Sequence, residues 1–121
     1  MTPVFQPAKP LLRIFDEAAA LKFYADDQGF TVDREHRFAA DLPLYMQISR
    51  GDLVLHLTGH FGAASPGATV FIPMTGVRDF HASRSAANHP HSSPGLVDQD
   101  RGPEMTITDR FGNRMRFCEM D

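Results

Sequence analysis

The feature that most constrains this chain is a strand pair that occurs twice. Residues 104–119 read EMTITDRFGNRMRFCE: Met105 and Ile107 alternate with Thr106 and Thr108, residues 109–113 turn the chain, and Met115 and Phe117 alternate with Arg114, Arg116 and Cys118. Period-two alternation on both sides of a Gly-Asn turn predicts a β-hairpin with one apolar and one polar face. Residues 44–58, LYMQISRGDLVLHLT, carry the same pattern around Gly51-Asp52. Leu44, Met46 and Ile48 face one way, and Tyr45, Gln47 and Ser49 the other. Setting Met46 on Met105 also sets Ile48 on Ile107, and one extra residue in the later turn brings His56 onto Arg116. The chain therefore reads as two copies of one unit. With 121 residues in all, each copy is too small to bury a comfortable core alone, so the two must share one.

The remaining segments fit that duplication. Three prolines in residues 1–10 predict an extended arm. Residues 11–15, LLRIF, have strand character, and Asp16 is a good N-cap for an alanine-rich helix over 17–28 that stops at Gly29. Ala20, Phe23 and Tyr24 fall on one side of that helix. Residues 30–38 form a charged strand suited to a sheet edge. After a linker at 61–67, residues 68–73 are a second apolar strand, and Thr75 or Gly76 opens a second helix running to Ala87, with Val77 and Phe80 inward and His81 beside them. Residues 88–103 read as a long loop with a brief strand at Leu96-Val97. The expected fold is α+β: two βαβββ modules, about 9–60 and about 68–119, in one domain over 1–121. They form a curved mixed sheet with the helices on its outer, apolar face, and the polar hairpin faces line a shared cleft.

Composition excludes several function classes. A formal charge of −3, with no clustering of Lys and Arg, lacks the electrostatic footprint of nucleic-acid binding. No apolar run is long enough to span a bilayer, and the first ten residues have neither a charged n-region nor an h-region. The lone Cys118 cannot form an internal disulfide, which fits a reducing compartment. These observations predict a cytoplasmic protein without nucleic-acid or membrane partners. No Gly-x-Ser-x-Gly elbow or phosphate-cradling glycine loop is present.

In the order and spacing of its motifs, the chain resembles the vicinal oxygen chelate superfamily, which contains glyoxalase I, extradiol dioxygenases and bleomycin resistance proteins. The resemblance rests on residues 13–16 (RIFD) leading to Phe23-Tyr24 and Gly29-Phe30, on the strand from Leu53 to Leu57, and on residues 108–113 (TDRFGN) leading to Phe117. Arg110 stands where the family's Asp-Pro-x-Gly-Asn turn usually has proline. Metal-using members place one ligand on the first and last strand of each half, which carries over to Lys9, His56, Thr69 and Arg116. Only His56 suits a divalent metal, since Arg116 cannot deprotonate and Lys9 would have to.

Other histidine combinations offer little. His56 and His60 are separated by about 13 Å along a strand rising about 3.3 Å per residue. His89 and His91 flank Pro90 without a carboxylate or thiolate partner and read as solvated, while His36 and His81 read as strand-surface and helix-flank residues.

The resemblance is nearest to the bleomycin-resistance branch, which binds without catalysis, and it implies a homodimer that needs no metal or cofactor. The implied function is sequestration of an antibiotic or toxic metabolite in a dimer cleft. Candidate ligand-binding residues are Tyr45, Gln47, His56, Arg114 and Arg116, with Phe38 and Phe61 as aromatic contacts. Arg114 and Arg116 suit an anionic or carbonyl-rich ligand, or else pair with Glu104 or Glu119. The rival reading is a metal-dependent lyase or oxidoreductase of the glyoxalase or dioxygenase type whose ligands are displaced from the usual positions.

Overall fold

The computed structural model describes residues 1–87 and 95–120. Two βαβββ modules follow one another. The first comprises β1 (Leu11–Arg13), α1 (Glu17–Leu21) continued by a π-helical turn (Lys22–Asp27), β2 (Thr31–His36), β3 (Tyr45–Arg50) and β4 (Leu53–Thr58). The second comprises β5 (Thr69–Pro73), α2 (Val77–Ala87), β6 (Leu96–Gln99), β7 (Gly102–Thr108) and β8 (Arg114–Cys118). The strands form two four-stranded mixed sheets of identical order, β1-β4-β3-β2 and β5-β8-β7-β6, whose central strands are the repeated hairpins. No helix among the described residues is long and apolar enough to cross a membrane.

Register explains the two-faced hairpins. Met46 pairs with Leu57 and Ile48 with Leu55, while Met105 pairs with Phe117 and Ile107 with Met115. All eight are buried in one hydrophobic cluster, together with Ala20, Phe23 and Tyr24 from the first helix and Val77 from the second. Burial of these alternate residues fixes each register, because a one-residue slip would turn every apolar side chain toward water. The charged strand β2 does lie at an edge, as its composition predicts, and so does β6.

Three expectations shift in detail. The first strand is only Leu11–Arg13, which leaves Lys9 in the arm ahead of it. The helix from Glu17 is not uniformly α: it widens at Lys22, where Gln28 N donates to the Phe23 carbonyl. That widening accommodates two adjacent large rings, Phe23 and Tyr24, both buried and packed edge to face at 4.9 Å. The brief strand expected at Leu96-Val97 extends to Gln99; His89 and His91 lie outside the described residues.

A buried polar hub joins the modules. Asp109, in the β7–β8 turn, accepts hydrogen bonds from Tyr24 Oη at 2.6 Å, Phe111 N at 2.8 Å, Asn113 N at 2.8 Å and Asn113 Nδ2 at 2.9 Å. Asn113 also donates to the Arg13 carbonyl at 2.8 Å and accepts from Ala68 N at 3.1 Å. One side chain thus ties the end of β1 to the start of the second module. Gly112, at φ +85°, makes the turn possible by adopting a conformation unfavourable for residues with a Cβ. Burial and the neighbouring Asp109 carboxylate both raise the Tyr24 pKa well above the ordinary phenol value, so the phenol keeps its proton and donates it.

Two substitutions test this hub by urea denaturation. Tyr24→Phe removes a bond to a charged acceptor and should cost about 1.5–3 kcal/mol. Asn113→Ala should cost more, because it leaves Ala68 N–H and the Arg13 carbonyl without their partner. A loss under about 0.5 kcal/mol for either would mean that the modules do not depend on these bonds.

Candidate ligand-binding site

The polar face of the first sheet carries a continuous row of hydrogen-bonded side chains. Cross-strand pairing sets Gln47 opposite His56 and Tyr45 opposite Thr58, so Tyr45, Gln47 and His56 share the face away from the core. Tyr45 Oη lies 2.5 Å from His56 Nδ1, and His56 Nε2 lies 3.1 Å from Gln47 Oε1. Gln47 Nε2 then donates to Asp33 Oδ2 at 3.2 Å, and Ser49 Oγ donates to Asp33 Oδ1 at 3.0 Å. Asp33 reaches this row because β2 bulges there: Val32 pairs with Ile48 and Arg34 with Gln47, leaving Asp33 as the extra residue. A bulge of this kind re-aims a side chain. Nothing in the sequence marks its position.

An aromatic and basic cluster continues the face at one end. His36 is the cross-strand partner of Tyr45, and its ring lies 4.5 Å from Phe38, which in turn lies 5.5 Å from His60. Arg13 stacks over Phe15 at 4.7 Å and lies 5.9 Å from Phe61. Phe38 is 68% exposed and Phe61 95% exposed. Phe38 is therefore placed beside the Tyr45 end of the row, whereas Phe61 lies near Arg13.

The corresponding face of the second sheet is built differently. Arg116 grips both oxygens of Glu104, with Nη2 at 3.0 and 3.1 Å, and Arg101 Nη2 reaches Glu104 Oε1 at 2.6 Å. Both guanidinium groups lie near the ring of Phe71, at 5.2 Å for Arg101 and 5.9 Å for Arg116. Hydrogen bonds from Arg101 and then Arg116 hold the Glu104 carboxyl below its ordinary range, against the desolvation that would raise it. Of the two roles open to Arg116, the structure displays pairing with Glu104; Arg114 is exposed and makes no ion pair among the described residues. Arg101 is the partner that sequence reasoning missed, because a residue in the tight turn before β7 gives no sign of which way it points.

Tyr45, Gln47 and His56 are thus brought together on one sheet, and Arg114 and Arg116 lie on the other. Among the described residues, no hydrogen bond or ion pair joins these two polar faces within one chain. A sizeable groove among the described residues lies elsewhere, against the core side of both modules. It has a volume of about 760 Å³ and is floored by Phe30, Ile72, Phe80 and Phe117.

A divalent metal does not suit the four carried-over positions. Lys9 is off the sheet, Thr69 offers only a hydroxyl, Arg116 has no lone pair to give and is held by Glu104, and both nitrogens of His56 are engaged. Among the described residues no group of three His, Cys, Asp or Glu side chains could hold a metal ion.

Partial burial, followed by the nearby charges of Lys9 and Arg34, lowers the His56 pKa from its ordinary 6.5. The unfolded chain therefore takes up this proton first as pH falls. His56 should contribute to a loss of stability as pH drops through 6.5, and the contribution should level off below the folded-state pKa. An NMR titration of the His56 ring should give a midpoint below 6.5; a midpoint above it would contradict the environment described.

Comparison with known proteins agrees with this architecture. The sequence profile of glyoxalase superfamily proteins matches residues 2–121. No curated protein sequence matches the chain. Among solved structures, it resembles the bleomycin-binding protein of bleomycin-producing Streptomyces verticillus, solved with copper(II)-bleomycin, at TM-score 0.75 and 24% identity, with 99% of this chain and 100% of that one covered. An antibiotic-binding protein from a Streptomyces species matches at TM-score 0.77 and 15% identity over 99% and 100% of the two chains. A transposon-encoded bleomycin resistance determinant matches at TM-score 0.71 and 19% identity over 97% and 99%. At these identities the likeness establishes the shared fold, and the profile match spans almost the entire sequence. The chain belongs to the glyoxalase superfamily, in its two-module vicinal oxygen chelate fold.

Proposed function

We propose that this protein binds a small organic molecule, an antibiotic or a toxic metabolite, and sequesters it without transforming it. The single observation that carries this reading is the use of both His56 ring nitrogens within the sheet's own hydrogen-bonded row. The one side chain at a ligand position that could serve a metal is committed to organising a polar surface instead. A metal-dependent lyase or oxidoreductase would need donors that these positions do not supply. The structural neighbours that bind bleomycin or another antibiotic support sequestration as the use of this scaffold, by analogy of fold.

In this reading the cleft is completed by a second copy of the chain, and the protein acts in the cytoplasm. Each chain leaves Phe38 and Phe61, at the end of the first polar face, largely exposed. Burial of such rings against another copy is favourable and would enclose a ligand among Tyr45, Gln47 and His56 on one wall, with Arg114 and Arg116 on another.

The test is calorimetric titration of metal-free bleomycin into chelator-treated protein. Saturable binding at about one site per chain, with micromolar or tighter dissociation, is expected. No heat and no thermal shift across a broader antibiotic panel would contradict sequestration. Sedimentation should give twice the 13.5 kDa chain mass; a monomer at micromolar concentration would remove the proposed second wall.

A further inference from the structure

The row on the first sheet has a direction, and that direction constrains the ligand. Asp33 is exposed on β2, and as a carboxylate it only accepts. Gln47 must turn its amide nitrogen toward Asp33, which leaves Gln47 Oε1 facing His56 Nε2. An oxygen acceptor at that position requires the proton of neutral His56 to sit on Nε2. Nδ1 is then a lone pair, and the Tyr45 hydroxyl hydrogen must point into it. Each of these hydrogens is taken up by the next member of the row. At its Tyr45 end, what remains for a ligand is the lone-pair side of Oη.

Resting on the binding reading above, we infer that Tyr45 Oη is a hydrogen-bond acceptor for the ligand, and that the site selects molecules presenting an O–H or N–H donor beside an aromatic body. The aromatic component follows from the neighbours of Tyr45: His36 lies opposite it across the strands, with Phe38 and His60 beyond in edge-to-face contact. An anionic ligand, the expectation raised by Arg114 and Arg116, is not served at this end of the row: those arginines lie on the other sheet, and an anion would meet only lone pairs at Tyr45.

Two measurements on the full chain test the inference. Long-range ¹H–¹⁵N correlation spectra at neutral pH should give the Nε2–H tautomer for His56; the Nδ1–H tautomer would overturn the inference whatever the protein binds. Titration with 2-naphthol and 2-methoxynaphthalene compares one ring system with and without a donor hydrogen. The naphthol should bind at least about tenfold more tightly, as expected where a ligand donor pairs with a polar group of the site. Tyr45→Phe, checked for native circular dichroism, should bring the two probes within about twofold of each other. Equal affinities for the unaltered protein, or a preference that survives Tyr45→Phe, would overturn the assignment. Binding of neither probe despite the Nε2–H tautomer would count against the face as a binding surface, and would remove the ligand class together with the reading beneath it.

Discussion

The Asp109 carboxylate and the donors gathered around it hold the two halves of this protein in register. A buried carboxylate is costly unless its oxygens are filled, and here Tyr24, Asn113 and the turn's own backbone fill them. The same Asn113 reaches the Arg13 carbonyl at the end of β1. β1 in turn runs parallel to β4, and the Pro10 carbonyl just ahead of it accepts from His56 N. A short chain of bonds therefore connects the hub between modules to the backbone of the residue at the centre of the polar row. The hub lies apart from that row, and its effect is to hold the strands that carry the polar face.

Duplication provided two copies of that face, and the copies have diverged into different chemistry. In the first, His56 shares hydrogen bonds with Tyr45 and Gln47. In the second, the equivalent Arg116 is charged and fixed by Glu104, with Phe71 beneath it. Each position is satisfied by its own sheet, which explains why neither offers free coordination sites although the scaffold is one that other family members use around a metal. A polar surface organised in this way loses little conformational entropy when a ligand arrives, because its side chains are already ordered.

Much of this architecture could be read in the sequence, for a definite reason. Alternation at Met46, Ile48, Met105 and Ile107 reports burial directly, and repetition of that alternation reports the two modules. Tyr45, Gln47 and His56 were legible as a group because strand parity alone puts them on one face. The role of Asp33 was hidden, since a bulge changes parity without leaving a compositional mark. The pairing of Arg116 with Glu104 was only one of two readings, and the contribution of Arg101 depends on a turn geometry that local sequence does not dictate. The π-helical turn that buries Phe23 and Tyr24 together was likewise invisible to a pattern assuming regular helix. In each case the missing information was a local departure from ideal geometry, set by tertiary packing.

The central claim is that the polar face of the first sheet, and not the apolar groove between the modules, receives the ligand. The most direct test is to map amide chemical-shift changes as metal-free bleomycin is titrated into isotopically labelled protein. The account predicts the largest changes along β3 and β4 around Tyr45, Gln47 and His56, spreading to Phe38. Changes confined to Phe30, Phe80 and Phe117, with the β3–β4 face silent, would contradict it.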